Sequence, residues 1–143
     1  MPQPIQLSGQ AIQGYATASA VISASTTTTA TTSGTATALL TFPAVDCAGG
    51  TYDVTVFSPG VTKGTTSISL ELWVDGVFNQ SMTALYVNAV AITPYYWAGR
   101  VALNQGVHTL TVRGFVDAGT GTFGAGTGAT GLQPNAVGVL RPA

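Results

Sequence analysis

Charged side chains are scarce: the 143 residues include four basic and five acidic ones, 6% of the chain, with a formal net charge of -1. A folded monomer of this mass exposes roughly 6,800 Å², which leaves about one charge per 760 Å². Well-behaved soluble surfaces are about a quarter to a third charged. The four basic residues, Lys63, Arg100, Arg113 and Arg141, are scattered and make no stripe for phosphates, which argues against nucleic-acid binding. Cys47 is the only cysteine and His108 the only histidine, so neither an intrachain disulfide nor a cysteine-clustered zinc site is expected. Residues 1–10 are rich in Gln and Pro, with no charged start or apolar run, so no export signal is expected. The most apolar stretch, Ala84 to Ile92, carries Asn88 and is too short to span a bilayer, so no membrane contact is expected.

What is present reads as strand almost throughout. Thr35 to Phe42 alternates Ala36, Ala38, Leu40 and Phe42 with Thr35, Thr37, Leu39 and Thr41 before stopping at Pro43. After a turn expected at Cys47-Ala48-Gly49-Gly50, Thr51 to Phe57 places Tyr52, Val54 and Val56 on one face, and Ser58-Pro59-Gly60 ends it. Ile68, Leu70, Leu72 and Val74 share one side, opposite Ser69, Glu71 and Trp73, and Asp75-Gly76 follows as a two-residue hairpin signal. Tyr95 to Leu103 and Val107 to Val116 flank Asn104-Gln105-Gly106, which suggests a second hairpin. Tyr15 to Ala24 and Val137 to Leu140 complete seven to nine strands. Many short strands without a helical period predict an all-β antiparallel β-sandwich of jelly-roll type, in a single domain over 1–143.

Two segments are compositionally biased. Ser25 to Thr35 is nearly all Thr, Ser and Ala, and suits either a connector or a flat edge strand. Gly119 to Gly131 holds Phe123 as its one large side chain and is expected to be a surface loop. That loop matches the dinucleotide pattern of spaced glycines twice, but neither a helix nor an acid follows, and Lys63-Gly64-Thr65 lacks the glycines of a phosphate loop.

Counting also disfavours catalysis and cofactors. His108 is the one imidazole and shares its expected strand face with Leu110 and Val112, as a hydrogen-bonded residue at the core edge would. Cys47 beside Asp46 would be a nucleophile only with a basic partner nearby, and its expected place in the turn before Gly49-Gly50 asks for no more than a small neutral residue. Glu71 and Asp75 lie about 13 Å apart along a strand, wider than the carboxylate pairs of glycosidases. Asp46, Asp53 and Asp117 come singly and match no calcium loop. The reading is a non-enzymatic protein with no cofactor and no metal.

Aromatics supply the candidate contact surface. Trp73 lies on the polar face of its strand, and Tyr95, Tyr96 and Trp97 are consecutive, so they cannot all point inward. An outward ring lies under a loop of its own chain, at a subunit contact, or against a sugar. With one lysine to guard sheet edges, covering by neighbouring copies is the expected protection.

The segments Leu39 to Ala44 and Ala48 to Val56 resemble the strand pair with a glycine-tyrosine turn found in small jelly rolls. Leu72 to Gly76 and Val101 to Leu110 are similar to later strands of C1q/TNF-like trimers and of tailed-phage virion proteins, such as head decoration proteins and fibre tips. That resemblance implies a homotrimer on a virion surface, made in the host cytoplasm and bound to the major capsid protein or another virion component. Met1 to Gly14 and Arg141-Pro142-Ala143 would be its attachment arms. The same motifs are similar to carbohydrate-binding β-sandwich modules, which would imply a glycan partner. The Thr-x-Thr pairs Thr35 and Thr37, and Thr109 and Thr111, match the spacing of an ice-binding face at two isolated places.

Overall fold

The alternation read along the chain becomes an alternation of faces. Between Leu110 and Val116, the residues Leu110, Val112, Gly114 and Val116 are buried while Thr111, Arg113 and Phe115 face outward, half-exposed. A computed structural model of the chain describes residues 17–22, 26–62, 67–85, 93–124 and 136–143. Its strands are β1 (Ala18–Ile22), β2 (Thr26–Thr28), β3 (Thr37–Thr41), β4 (Val45–Thr62), β5 (Ile68–Val74), β6 (Val77–Leu85), β7 (Thr93–His108), β8 (Leu110–Val116), β9 (Gly121–Phe123) and β10 (Ala136–Pro142).

They form two antiparallel sheets packed face to face, a jelly-roll β-sandwich. In the larger sheet one edge of β4 pairs with β7 along Val45–Val61, and the other pairs with β10 at Tyr52–Phe57, outside which lies β1, and with β9, outside which lies β2, at Val61–Thr62. The smaller runs β3-β8-β5-β6. The core lies between them, with Tyr52, Val54, Val56 and Leu140 from one sheet against Leu40, Leu70, Leu72 and Val112 from the other. Gly138 on β10 lies under Phe42 and Leu40, so the sheets approach closely there because no side chain intervenes.

Several expectations are corrected. Cys47-Ala48-Gly49-Gly50 is no turn: Gly49 and Gly50 hold positive φ (90° and 114°) inside β4, which stays paired with β7 on both sides of them. Ser58-Pro59-Gly60 does not end the strand either; it is an irregularity that shifts the register before Val61. Asn104-Gln105-Gly106 is not a hairpin, because β7 runs through it against Ala48 to Cys47 and crosses to the other sheet only at Thr109. A register shift between Ala38 and Leu40 turns both Leu39 and Leu40 inward and leaves Ala38 exposed, against the simple alternation. Phe123 belongs to β9 and is fully buried rather than in a surface loop.

Ser25 to Thr35 is partly both alternatives, since Thr26–Thr28 pairs with β9 and Ser33–Thr35 forms a 3-10 turn. Arg141 and Pro142 are no arm: they end β10 opposite Asp53 and Tyr52, and the amide of Ala143 donates to the carbonyl of Thr51. The proposed arm 1–14, Lys63-Gly64-Thr65, residues 125–131 of the glycine-rich segment and most of the apolar stretch after Leu85 lie outside the described residues. Among the described residues, no helix is long and apolar enough to cross a membrane.

Candidate functional site

Three strands of the larger sheet repeat one spacing on its outer face. β4 presents Asp53, Thr55 and Phe57; β7 presents Tyr96, Ala98 and Arg100; β10 presents Val137, Val139 and Arg141. Because β7 and β10 both run antiparallel to β4, like comes beside like. Phe57 lies opposite both Tyr96 and Val137, Thr55 opposite Ala98 and Val139, and Asp53 opposite Arg100 and Arg141. Val21 on β1, opposite Val137, extends the first row across a fourth strand.

The result is a trough of about 330 Å³, lined by Asp53, Thr55, Tyr96, Ala98, Arg100 and Arg141 over the backbone of Val54 and Gly99. One wall is Tyr96, 68% exposed, and Phe57, 39% exposed, stands opposite it on β4 just outside the lining. The other wall lies four residues along the same strands, about 13 Å away. There Arg100 Nε donates to Asp53 Oδ1 at 2.9 Å, with the guanidinium mostly in solvent and the carboxylate partly covered. Small side chains, Thr55 and Ala98, make the floor. A trough of this length admits a short chain of rings rather than one. It offers an aromatic face for stacking and a guanidinium–carboxylate row for hydrogen bonds.

The four aromatic residues singled out from the sequence do not come together. Tyr96 alone stands on the open face of the larger sheet. Tyr95 is 3% exposed and points into the core, so it offers no outward contact. Trp97 also faces inward, half-buried against the core, its ring occupying the space a Cβ on Gly99 would need.

Trp73 is on the outer face of the smaller sheet, where its own chain holds it. Its Nε1–H donates to Glu71 Oε2 at 2.9 Å, the Arg113 guanidinium lies 4.2 Å over the ring, and Phe78 meets it edge-on with centroids 6.3 Å apart. Ser33, on the 3-10 turn, donates to the same Glu71 oxygen at 2.9 Å. Phe57, Asp53 and Arg141 were not singled out as contacts. The signal was present in the mirrored spacing of Asp-x-Thr-x-Phe and Tyr-x-Ala-x-Arg, which pays off only once the two strands are known to pair.

The remaining candidates for chemistry are engaged elsewhere. His108 ends β7 rather than sharing a strand with Leu110 and Val112. Its Nδ1 donates to Asp75 Oδ2 at 2.7 Å and its Nε2 to the Asn104 carbonyl at 3.0 Å. Two acceptors require both ring nitrogens to be protonated. The Asp75 carboxylate accordingly raises the imidazole pKa, while the Thr109 amide, donating at 2.8 Å, and His108 lower that of Asp75. Cys47 is buried, and that burial pushes its thiol pKa up, away from a reactive thiolate. Among the described residues, no group of three His, Cys, Asp or Glu side chains could hold a metal ion.

No family model and no curated protein matches the chain. Among solved structures, it is similar to a family 35 carbohydrate-binding module from an environmental isolate, with a TM-score of 0.50 and 12% identity over 87% of this chain and 96% of that one. It is also similar to Eiger TNF from S. frugiperda, with a TM-score of 0.49 and 13% identity over 91% and 94%. A third similar structure is CBM35 from Cellvibrio japonicus Abf62, with a TM-score of 0.46 and 16% identity over 73% and 68%. At these identities the likeness is one of fold.

Proposed function

We propose that the chain is a non-enzymatic carbohydrate-binding module that takes a glycan along the trough on the open face of its larger sheet. One observation carries this reading: an exposed ring, Tyr96, with Phe57 opposite it on the next strand, stands across a floor of small side chains from an Arg100–Asp53 row. A pyranose has an apolar face of C–H groups and an equator of hydroxyls. Stacking on Tyr96 covers the first, and the guanidinium and carboxylate satisfy the second as donor and acceptor. A single carboxylate, Asp53, lines the trough, which supports binding rather than the two-carboxylate hydrolysis of a glycosidase. The fold is one on which a family 35 carbohydrate-binding module is built.

A glycan array followed by titration of the best hit tests this. Tyr96→Ala should abolish binding while leaving the fold intact; an array without hits, or hits indifferent to Tyr96, rejects the reading.

A second reading is favoured by the apolar row Val21, Val137, Phe57 and Tyr96, which crosses four strands of a protein with few charges. In it the same face is a subunit contact, and the chain is a virion surface protein, a homotrimer seated on the major capsid protein. Light scattering separates the two readings. A stable oligomer that Tyr96→Arg dissociates supports the second, and a monomer at high concentration rejects it.

A further inference from the structure

We infer that the glycan taken by this trough is anionic, bearing carboxylate or sulfate groups. The inference rests on the carbohydrate reading above and deepens it.

The ionic wall is unbalanced. Arg141, Asp53 and Arg100 stand side by side on β10, β4 and β7, two guanidinium groups to one carboxylate. In a chain of net charge -1 with three arginines, two of the three stand on this one wall. Arg100 gives only its Nε to Asp53, so its terminal amino groups remain for a ligand, and its side chain is 71% exposed. Arg141 lines the trough and is exposed.

Three of the other four acids are bonded away from this wall, and the fourth lies far along the strand. Glu71 is bonded to Ser33 and Trp73 on the opposite sheet, Asp75 to His108 and Thr109 at the strand crossover, and Asp117 to the Ser67 amide. Asp46 pairs in register with Val107, seven residues along β4 from Asp53. The trough thus has a local excess of positive charge that the whole-chain balance conceals.

A neutral sugar would leave one guanidinium facing only water. A carboxylate or sulfate ester accepts two parallel N–H bonds from a guanidinium, a geometry lysine does not reproduce. Asp53 then serves to orient Arg100 rather than to neutralise the site.

The test is affinity electrophoresis and calorimetric titration of the full chain against three sets of polymers. One is neutral (galactan, xylan, mannan, dextran), one carboxylated (polygalacturonate, hyaluronan) and one sulfated (dextran sulfate, chondroitin sulfate). The expected result is at least tenfold tighter binding within one or both anionic sets, which also identifies the acid. Binding should weaken severalfold as salt is raised past 0.1 M, where the screening length falls to about 10 Å. Arg141→Ala should cost the anionic ligand about tenfold without changing the melting temperature.

Equal affinity for neutral polymers overturns the anionic assignment and leaves the carbohydrate reading standing. Binding to no polymer overturns both. Anionic binding that Tyr96→Ala leaves untouched is ion exchange at the surface, and also overturns the inference.

Discussion

The two sheets expose faces built from the same kinds of residue, and they differ in who completes them. On the smaller sheet, Trp73 has its N–H on Glu71, a guanidinium over its ring, and the 3-10 turn at Ser33–Thr35 reaching the same carboxylate. On the larger sheet, Tyr96 and Phe57 stand open beside Arg100 and Asp53, with small Thr55 and Ala98 between. Aromatic, guanidinium and carboxylate groups are present on both faces. Phe78 on the smaller sheet is 46% exposed, but the carboxylate and guanidinium there are engaged with Trp73; on the larger sheet an open ring stands with guanidinium groups still free to meet something outside the chain. A ring on a polar strand face marks a site only where its partners are not already supplied from within.

The largest effect that sharpens this contrast is expected from Trp73→Ala. Removing a half-buried ring with its cation–π and indole hydrogen bonds should cost about 2–4 kcal/mol, read by urea denaturation; a loss near zero would make the smaller sheet's face as open as the larger one's. Next comes Gly138→Ala, which puts a methyl where Phe42 and Leu40 already press on β10. Forcing the sheets apart there should cost about 1–3 kcal/mol, and it would disturb both faces together, because they share that core.

A smaller effect concerns the crossover at His108. Its pKa is raised by Asp75, so its contribution is fully present below the ordinary imidazole value of 6.5 and is lost as pH rises through the higher folded value. Asp75 is shifted downward, so its contribution is present above the ordinary carboxylate value of 3.8 and is lost as pH falls through the lower folded one. Melting temperature should therefore be highest between these two ordinary values, and His108→Gln should flatten the alkaline side of the curve. With Asp75 48% exposed, solvent screening keeps the effect below about 1 kcal/mol. The smallest change is expected from Tyr96→Ala, within about 0.5 kcal/mol of the unaltered chain. A large destabilisation there would mean that the open face is structural after all.

Local patterns were legible in the sequence; pairings were not. Asp75-Gly76 announces its hairpin, and both residues hold the positive φ (51° and 79°) that such a turn demands. Trp73 was placed on the face of Glu71 by alternation alone. Asn104-Gln105-Gly106 carries equally good turn residues, yet there Gly106 uses its positive φ of 134° to stay in register opposite Cys47. No nearby residue distinguishes a bend from a reversal. Phe123 was hidden by the glycines around it, which allow a strand as readily as a loop. The trough was invisible for a related reason: Phe57 and Tyr96 become neighbours only through the pairing of β4 with β7, and the whole β5–β6 hairpin intervenes along the chain. The ring-to-ion spacing was written twice, but its meaning depended on strands laid side by side in opposite directions.

The most direct test of the carbohydrate-binding account is a backbone-amide NMR titration with the best glycan. It predicts shifts concentrated on Asp53 to Phe57, Tyr96 to Arg100 and Val137 to Arg141, with the amides around Trp73 and Arg113 unmoved. Shifts gathered on the smaller sheet, or spread evenly over both, would contradict it.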